Sequence, residues 1–166
     1  MTLETVNAMD RASFVQAVGW IFEHSPWVAE RAWLTRPFSD LADLHRRMVT
    51  EVESATRDEQ TKLLRAHPDL GTRARLSDAS ASEQAGAGLD QLTRDEFQQF
   101  TALNDGYKNK FGFPFLFAVK GSSKQDILEA LTRRLPSTPE VEFAEAMRQI
   151  YRIAEFRLND YLNQES

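Results

Sequence analysis

The chain has 166 residues, 42% of them apolar and 27% charged, with a net charge of −5 at pH 7, which suits one sizeable buried core and excludes a disordered chain. The acidic balance argues against a general nucleic-acid binder, which needs a basic face to displace counterions, and no apolar run approaches the roughly 20 residues needed to cross a bilayer. The absence of cysteine excludes disulfides, a thiolate nucleophile, an iron–sulfur cluster and a thiolate zinc site.

The periodicity is helical along nearly the whole chain. Asp10 is placed to cap a helix whose apolar face is Phe14, Ala17, Val18, Ile21 and Phe22, a 3–4 spacing. Ser25-Pro26 reads as a cap followed by proline at the first helical position, opening a short helix through Trp27 and Trp33. Arg36-Pro37 ends it, because the residue before proline is pushed out of helical geometry. Ser39 is expected to start the next helix, with Leu41, Leu44, Met48 and Val49 on one side, and Glu59 to Ala66 forms another, stopped by His67-Pro68. From Asp69 to Leu92, glycines, serines and aspartates interrupt the pattern, so loops and short turns of helix are expected, with Ser80 and Glu83 as a capping box that puts Glu83 and Gln84 in a first turn. Thr93-Arg94-Asp95-Glu96 is a second capping box, opening a helix through Phe97, Phe100, Leu103 and Tyr107. Ser122 to Leu135 is amphipathic, and Thr138-Pro139 opens the last and longest helix, to about Tyr161. The expected fold is all-α, a single-domain helical bundle of about seven to nine helices over 1–166.

Three places depart from a plain bundle. Arg157 falls on the inward stripe Phe143, Met147, Ile150, Ala154, Arg157, Tyr161, where the spacing calls for an apolar residue. It is either half of an internal salt bridge, a stem packed flat with its head in water, or an anion site. The run Phe111 to Val119 begins with glycine and proline, so its first part cannot be regular helix. It is either a loop wedged into the core or a backbone that offers its amides to a planar, amide-rich ligand. His67, fixed beside Pro68, carries an imidazole that titrates near neutrality; the alternative is a surface histidine. His24, His45 and His67 share no metal-ligand spacing, and phosphate loops, nucleotide fingerprints and nucleophile elbows are absent.

His67-Pro68-Asp69-Leu70-Gly71, Ser80-x-x-Glu83-Gln84, Ala87-Gly88-Leu89, Leu103-Asn104-x-x-Tyr107-x-x-Lys110-Phe111-Gly112-Phe113-Pro114-Phe115 and Arg157-Leu158 together resemble the signatures of 2-oxo-4-hydroxy-4-carboxy-5-ureidoimidazoline (OHCU) decarboxylases. The resemblance covers almost the whole chain in order. It implies an all-helical enzyme with no cofactor and no metal, acting on a small ureide in urate breakdown, and leaves a homodimer open. By residue, it implies that His67 is the essential histidine, Glu83 its neighbouring carboxylate and Arg157 the substrate arginine. Pro68, Ser80 and Gln84 match substrate-contacting positions, and Phe115, Leu116, Phe117, Ala118 and Val119 match a stretch whose backbone lines the pocket. Met1 to Asp10 lacks the basic patch and apolar block of a secretory signal, and Gln164-Glu165-Ser166 is not the Ser-Lys-Leu peroxisomal address; a cytoplasmic protein, free of membrane and nucleic acid, is expected. Two other readings remain: a ureide- or hydantoin-processing enzyme with another reaction, and a helical interaction module presenting Trp20, Trp27 and Trp33.

Overall fold

A computed structural model of the protein describes residues 1–162, so the tail Gln164-Glu165-Ser166 lies outside the described residues. Among these the chain forms nine α-helices and no strand, in line with the helical periodicity. No helix is long and apolar enough to cross a membrane. The chain divides into two compact units, Met1–Ala66 with Tyr151–Ser166, and His67–Ile150.

The first unit contains α1 (Leu3–Asn7), α2 (Arg11–Val18), α3 (Trp27–Trp33), α4 (Leu41–Glu53) and α5 (Arg57–Arg65). Asp10 caps α2, its carboxylate accepting from the Ser13 N–H at 2.8 Å. α2 stops at Val18, and Ile21 completes a separate 3-10 turn, Gly19–Ile21, so the expected apolar face spans two elements. α3 is capped at Pro26 and not at Ser25, so Trp27 and not Pro26 is its first helical residue; the Ser25 carbonyl accepts from the Val28 N–H, and its hydroxyl donates to the Glu23 carbonyl. α4 is capped by Asp40 and not by Ser39, because the Asp40 carboxylate reaches the Asp43 N–H at 2.7 Å, while Ser39 donates its own N–H to Asp43. α5 begins at Arg57, ahead of the expected Glu59, because Thr56 and Glu59 form a full capping box. α3 packs on α2 and α4, Phe14 stacks on Phe38 at 5.8 Å, and Leu44, Met48, Val52, Leu63 and Leu64 are fully buried. Each such side chain contributes about 1.5–3 kcal/mol by leaving water. None of the tryptophans is fully buried: Trp20 meets Tyr161 edge-on, and Arg31 and Arg36 cover the rings of Trp27 and Trp33.

The second unit contains α6 (Asp78–Gly86), α7 (Arg94–Phe111), α8 (Lys124–Arg134) and residues 139–150 of α9 (Pro139–Leu162). Thr93 and Glu96 form the expected capping box of α7, and Ser123 caps α8. The expected capping box at Ser80 and Glu83 is not formed. Ser77 caps α6 by accepting from the Ser80 N–H, so Ser80 lies inside the helix and Glu83 and Gln84 lie past its first turn. α7 ends where Gly112 adopts a left-handed conformation, φ 81°. Beyond it residues 114–119 are non-helical, as proline and glycine require. Tyr107, Phe111, Phe113, Phe115 and Phe143 form a ring cluster with centroids 4.5 to 6.3 Å apart, a range that favours offset and edge contacts.

Candidate active site

His67 and Pro68 open the second unit as a half-buried, non-helical pair; proline keeps the histidine backbone out of the preceding helix. The loop that follows is clamped by side chains. Gln84 accepts the Gly71 N–H at 2.9 Å and donates to the Asp69 carbonyl at 3.3 Å. Asn104 donates to the Leu70 carbonyl at 2.9 Å, and Lys108 to the Asp69 carboxylate at 2.8 Å. Gly71 has φ +77°, so the turn needs glycine for its conformation; a Cβ there would also lie 2.8 Å from the side-chain tip of Leu92, Cδ1, which would have to move. A cavity of about 150 Å³ borders this loop, lined by Asp69 to Thr72 with Phe97, Thr101 and Asn104.

α6 sets Ser80 and Gln84 on one buried face, with the buried C-cap Ala87 following, one turn apart as helix geometry dictates; Glu83 beside them is half-buried. Gln84 was expected to contact substrate, and here both ends of its amide hold the loop after His67-Pro68. Asn104 and Lys108 went unassigned in the sequence although they stand in or beside a motif; their four-residue spacing was the available signal. Lys110 donates to the Leu135 carbonyl.

The segment Phe115–Val119 is buried except for half-buried Phe117. Arg134, near the end of α8, donates to the Leu116 carbonyl at 2.6 Å and to Glu142 at 2.8 Å. Tyr107 donates its hydroxyl proton to the same Glu142 oxygen at 2.7 Å; burial first, then that bond, raises its pKa well above the ordinary 10.0. The Ala118 N–H donates to Gln149 at 2.9 Å. Arg134, Glu142 and Gln149 stand close together in sequence, at the end of α8 and on α9, but distant from the Leu116 and Ala118 groups they hold, and none sits in a recognisable motif.

Arg157 lies in the first unit and is 4% exposed. Its guanidinium donates to the carbonyls of Trp20 and Ile21 at 3.3 and 3.2 Å and to Glu23 at 3.3 Å. The 3-10 turn supplies the carbonyls, since helix ends leave acceptors unpaired. Of the readings offered for this arginine, the internal salt bridge is formed.

The model of a protein family described as OHCU decarboxylase matches residues 7–159. The chain belongs to the OHCU decarboxylase family. It is 47% identical over 165 residues to the 2-oxo-4-hydroxy-4-carboxy-5-ureidoimidazoline decarboxylase of Haloferax volcanii, covering 99% of this chain and 98% of that one. It is 48% identical over 163 residues to the uric acid degradation bifunctional protein of Bacillus subtilis, where 98% of this chain spans 33% of the relative's length. Among solved structures, the crystal structure of an (S)-allantoin synthase superposes with a TM-score of 0.78 at 30% identity, covering 98% of this chain and 54% of that one. A crystal structure of an OHCU decarboxylase in the presence of (S)-allantoin superposes with a TM-score of 0.70, covering 83% of this chain and 92% of that one; at 22% identity this likeness speaks to the fold alone.

Proposed function

We propose that the chain decarboxylates OHCU to (S)-allantoin without a cofactor, as a cytoplasmic enzyme of urate breakdown formed by one family domain. The observation that carries this reading is the end-to-end, 47% identical match to the Haloferax volcanii decarboxylase. The family match from 7 to 159 runs through both compact units, which supports reading them as parts of one domain.

The substrate carries a carboxylate and a hydroxyl on one ring carbon, beside a ring C=N that bears the ureido group. When the carbon–carboxylate bond breaks, its electron pair flows into that C=N bond, the ring nitrogen takes a proton and carbon dioxide leaves. The resulting enol gains a proton at the ureido-bearing carbon and loses its hydroxyl proton to become allantoin. The substrate is its own electron sink. In this proposal His67 exchanges a proton with the substrate hydroxyl, a role that supplies roughly 10²–10⁴-fold, and Glu83 orients and stabilises the imidazolium. Arg157, its guanidinium anchored by Glu23 and the Trp20 and Ile21 carbonyls, binds anionic or carbonyl oxygen of the substrate. Pro68, Ser80 and Gln84 with the backbone of Phe115, Leu116, Phe117, Ala118 and Val119 hold the ureide so that one face is protonated. The clamped loop after His67 supports its role, since acid–base catalysis needs a group held in place.

The test feeds urate through urate oxidase and hydroxyisourate hydrolase, adds this protein, and follows allantoin by circular dichroism. Accelerated formation of an optically active product is expected; a racemic product at the uncatalysed rate overturns the proposal, and product without carbon dioxide release points to hydrolysis. His67→Asn is expected to fold and to lose turnover. We propose a homodimer as the working form, with the mass measured by light scattering on the eluting peak as its check; a 19.0 kDa species would refute it.

A further inference from the structure

We infer that Arg134, Glu142 and Gln149 are positioning residues that fix the two peptide groups flanking Phe117 and thereby aim its N–H and C=O at the ureide. The inference rests on the proposed role of Phe115–Val119 in holding substrate, and names what sets the geometry of that backbone.

The Arg36-Pro37 bond is the cis peptide of the described residues, so the bonds on either side of Phe117 are trans. In a trans peptide the C=O and N–H point in opposite directions. The Leu116 carbonyl is held by Arg134 at 2.6 Å, which turns the Phe117 N–H away from Arg134. The Ala118 N–H is held by Gln149 at 2.9 Å, which turns the Phe117 C=O away from Gln149. One residue therefore offers a donor and an acceptor, both directed off the buried network, and Phe117 is the half-buried residue in an otherwise buried run. A donor and acceptor on one residue match the paired N–H and C=O of a ureide, as two residues match in an antiparallel ladder.

The supports are themselves fixed. Gln149 donates its other amide end to Glu145 at 2.9 Å, which settles that its oxygen faces Ala118. Arg134 is pinned by Glu142 and lies 4.5 Å over the Phe115 ring. Arg134 and Glu142 are 8% and 2% exposed at the side chain, and a buried ion pair is commonly no more stabilising than well-packed apolar side chains of the same volume. What apolar side chains cannot do is direct a carbonyl. The pair thus serves geometry more than stability.

The experiment compares wild type, the double variant Arg134→Met/Glu142→Leu and the single variant Gln149→Met. Melting temperature, kcat, KM for OHCU and the enantiomeric excess of allantoin are measured for each. Both variants are expected to melt within a few degrees of wild type, to raise KM about tenfold, to lower kcat roughly 10–100-fold through misplacement of the substrate, and to release partly racemic product. Arg134→Lys, which keeps the charge but lacks the fork needed to hold carbonyl and carboxylate together, is not expected to restore selectivity. Folded variants with wild-type kcat, KM and enantiomeric excess overturn the inference; should the double variant not fold, Gln149→Met alone decides. A wild-type protein that leaves OHCU untouched removes the proposed function and this inference with it, whereas an active wild type with indifferent variants removes the inference alone.

Discussion

Arg157 is held in a buried ion pair with Glu23. Its place on an apolar stripe makes it exceptional in sequence, because helical spacing alone assigns that slot to the core. Its partner was not legible: Glu23 lies 134 residues away, and no periodicity links positions on different elements. Both side chains are 3% exposed, so removing one partner leaves an uncompensated buried charge. Glu23→Ala is expected to destabilise the protein by about 3–5 kcal/mol, read from urea denaturation. The double variant Glu23→Leu/Arg157→Met is expected to recover most of that loss while remaining unable to bind OHCU normally. Full stability in Glu23→Ala would show the pair to be dispensable; a double variant with normal KM would remove Arg157 from substrate binding.

Among the helices, caps and turn glycines determine how much of each boundary is legible. The Thr93–Glu96 capping box forms as its pattern, alone before an apolar run, predicts. At α6 two serines competed, and the pattern at Ser80 and Glu83 pointed to the wrong one. Ser77 wins because starting there lets Ser80 and Gln84 share the buried face of a nine-residue helix. The motif ending in Gly71 was visible as a motif, but the reason for its glycine was not, since the neighbour it meets, Leu92, is distant in sequence. Gly71 and Gly88 provide an internal comparison. Both have positive φ, +77° and +80°, yet a Cβ at Gly88 meets nothing within 4 Å, whereas at Gly71 it meets Leu92 Cδ1 at 2.8 Å. Gly88→Ala is expected to cost only the left-handed backbone term, about 1–2 kcal/mol. Gly71→Ala is expected to cost more, because the Leu92 side-chain tip must be displaced in addition to the same backbone term. Equal melting temperatures for the two variants would show that Leu92 moves aside freely.

Across the whole molecule, the all-α class was legible because period 3.6 runs through nearly every segment, and the pH response follows from where the acidic residues of that pattern ended up. Asp10, Asp43, Glu59 and Glu96 stand at the N-terminal ends of α2, α4, α5 and α7, where unpaired N–H groups and the helix dipole favour the carboxylate. All four have lowered pKa values. Glu59 falls furthest, from the ordinary 4.5 to about 2, chiefly through its bond from Arg31 and then through the Thr56 N–H. The sign follows from proton linkage: a carboxyl whose folded pKa lies below its unfolded value binds protons more readily when unfolded, so it stabilises the fold above the unfolded pKa and loses that contribution as pH falls through the folded one. For Glu59 the window therefore runs from about 4.5 down to about 2. The melting temperature is expected to hold steady from pH 7 to 5 and to fall steeply between pH 4.5 and 2. In Glu59→Gln the melting temperature should start below wild type at pH 7 and fall less steeply across that window, so that the two curves converge near pH 2. Parallel curves down to pH 2 would mean that the Glu59 carboxylate contributes no proton linkage, and that the acid response comes from other groups.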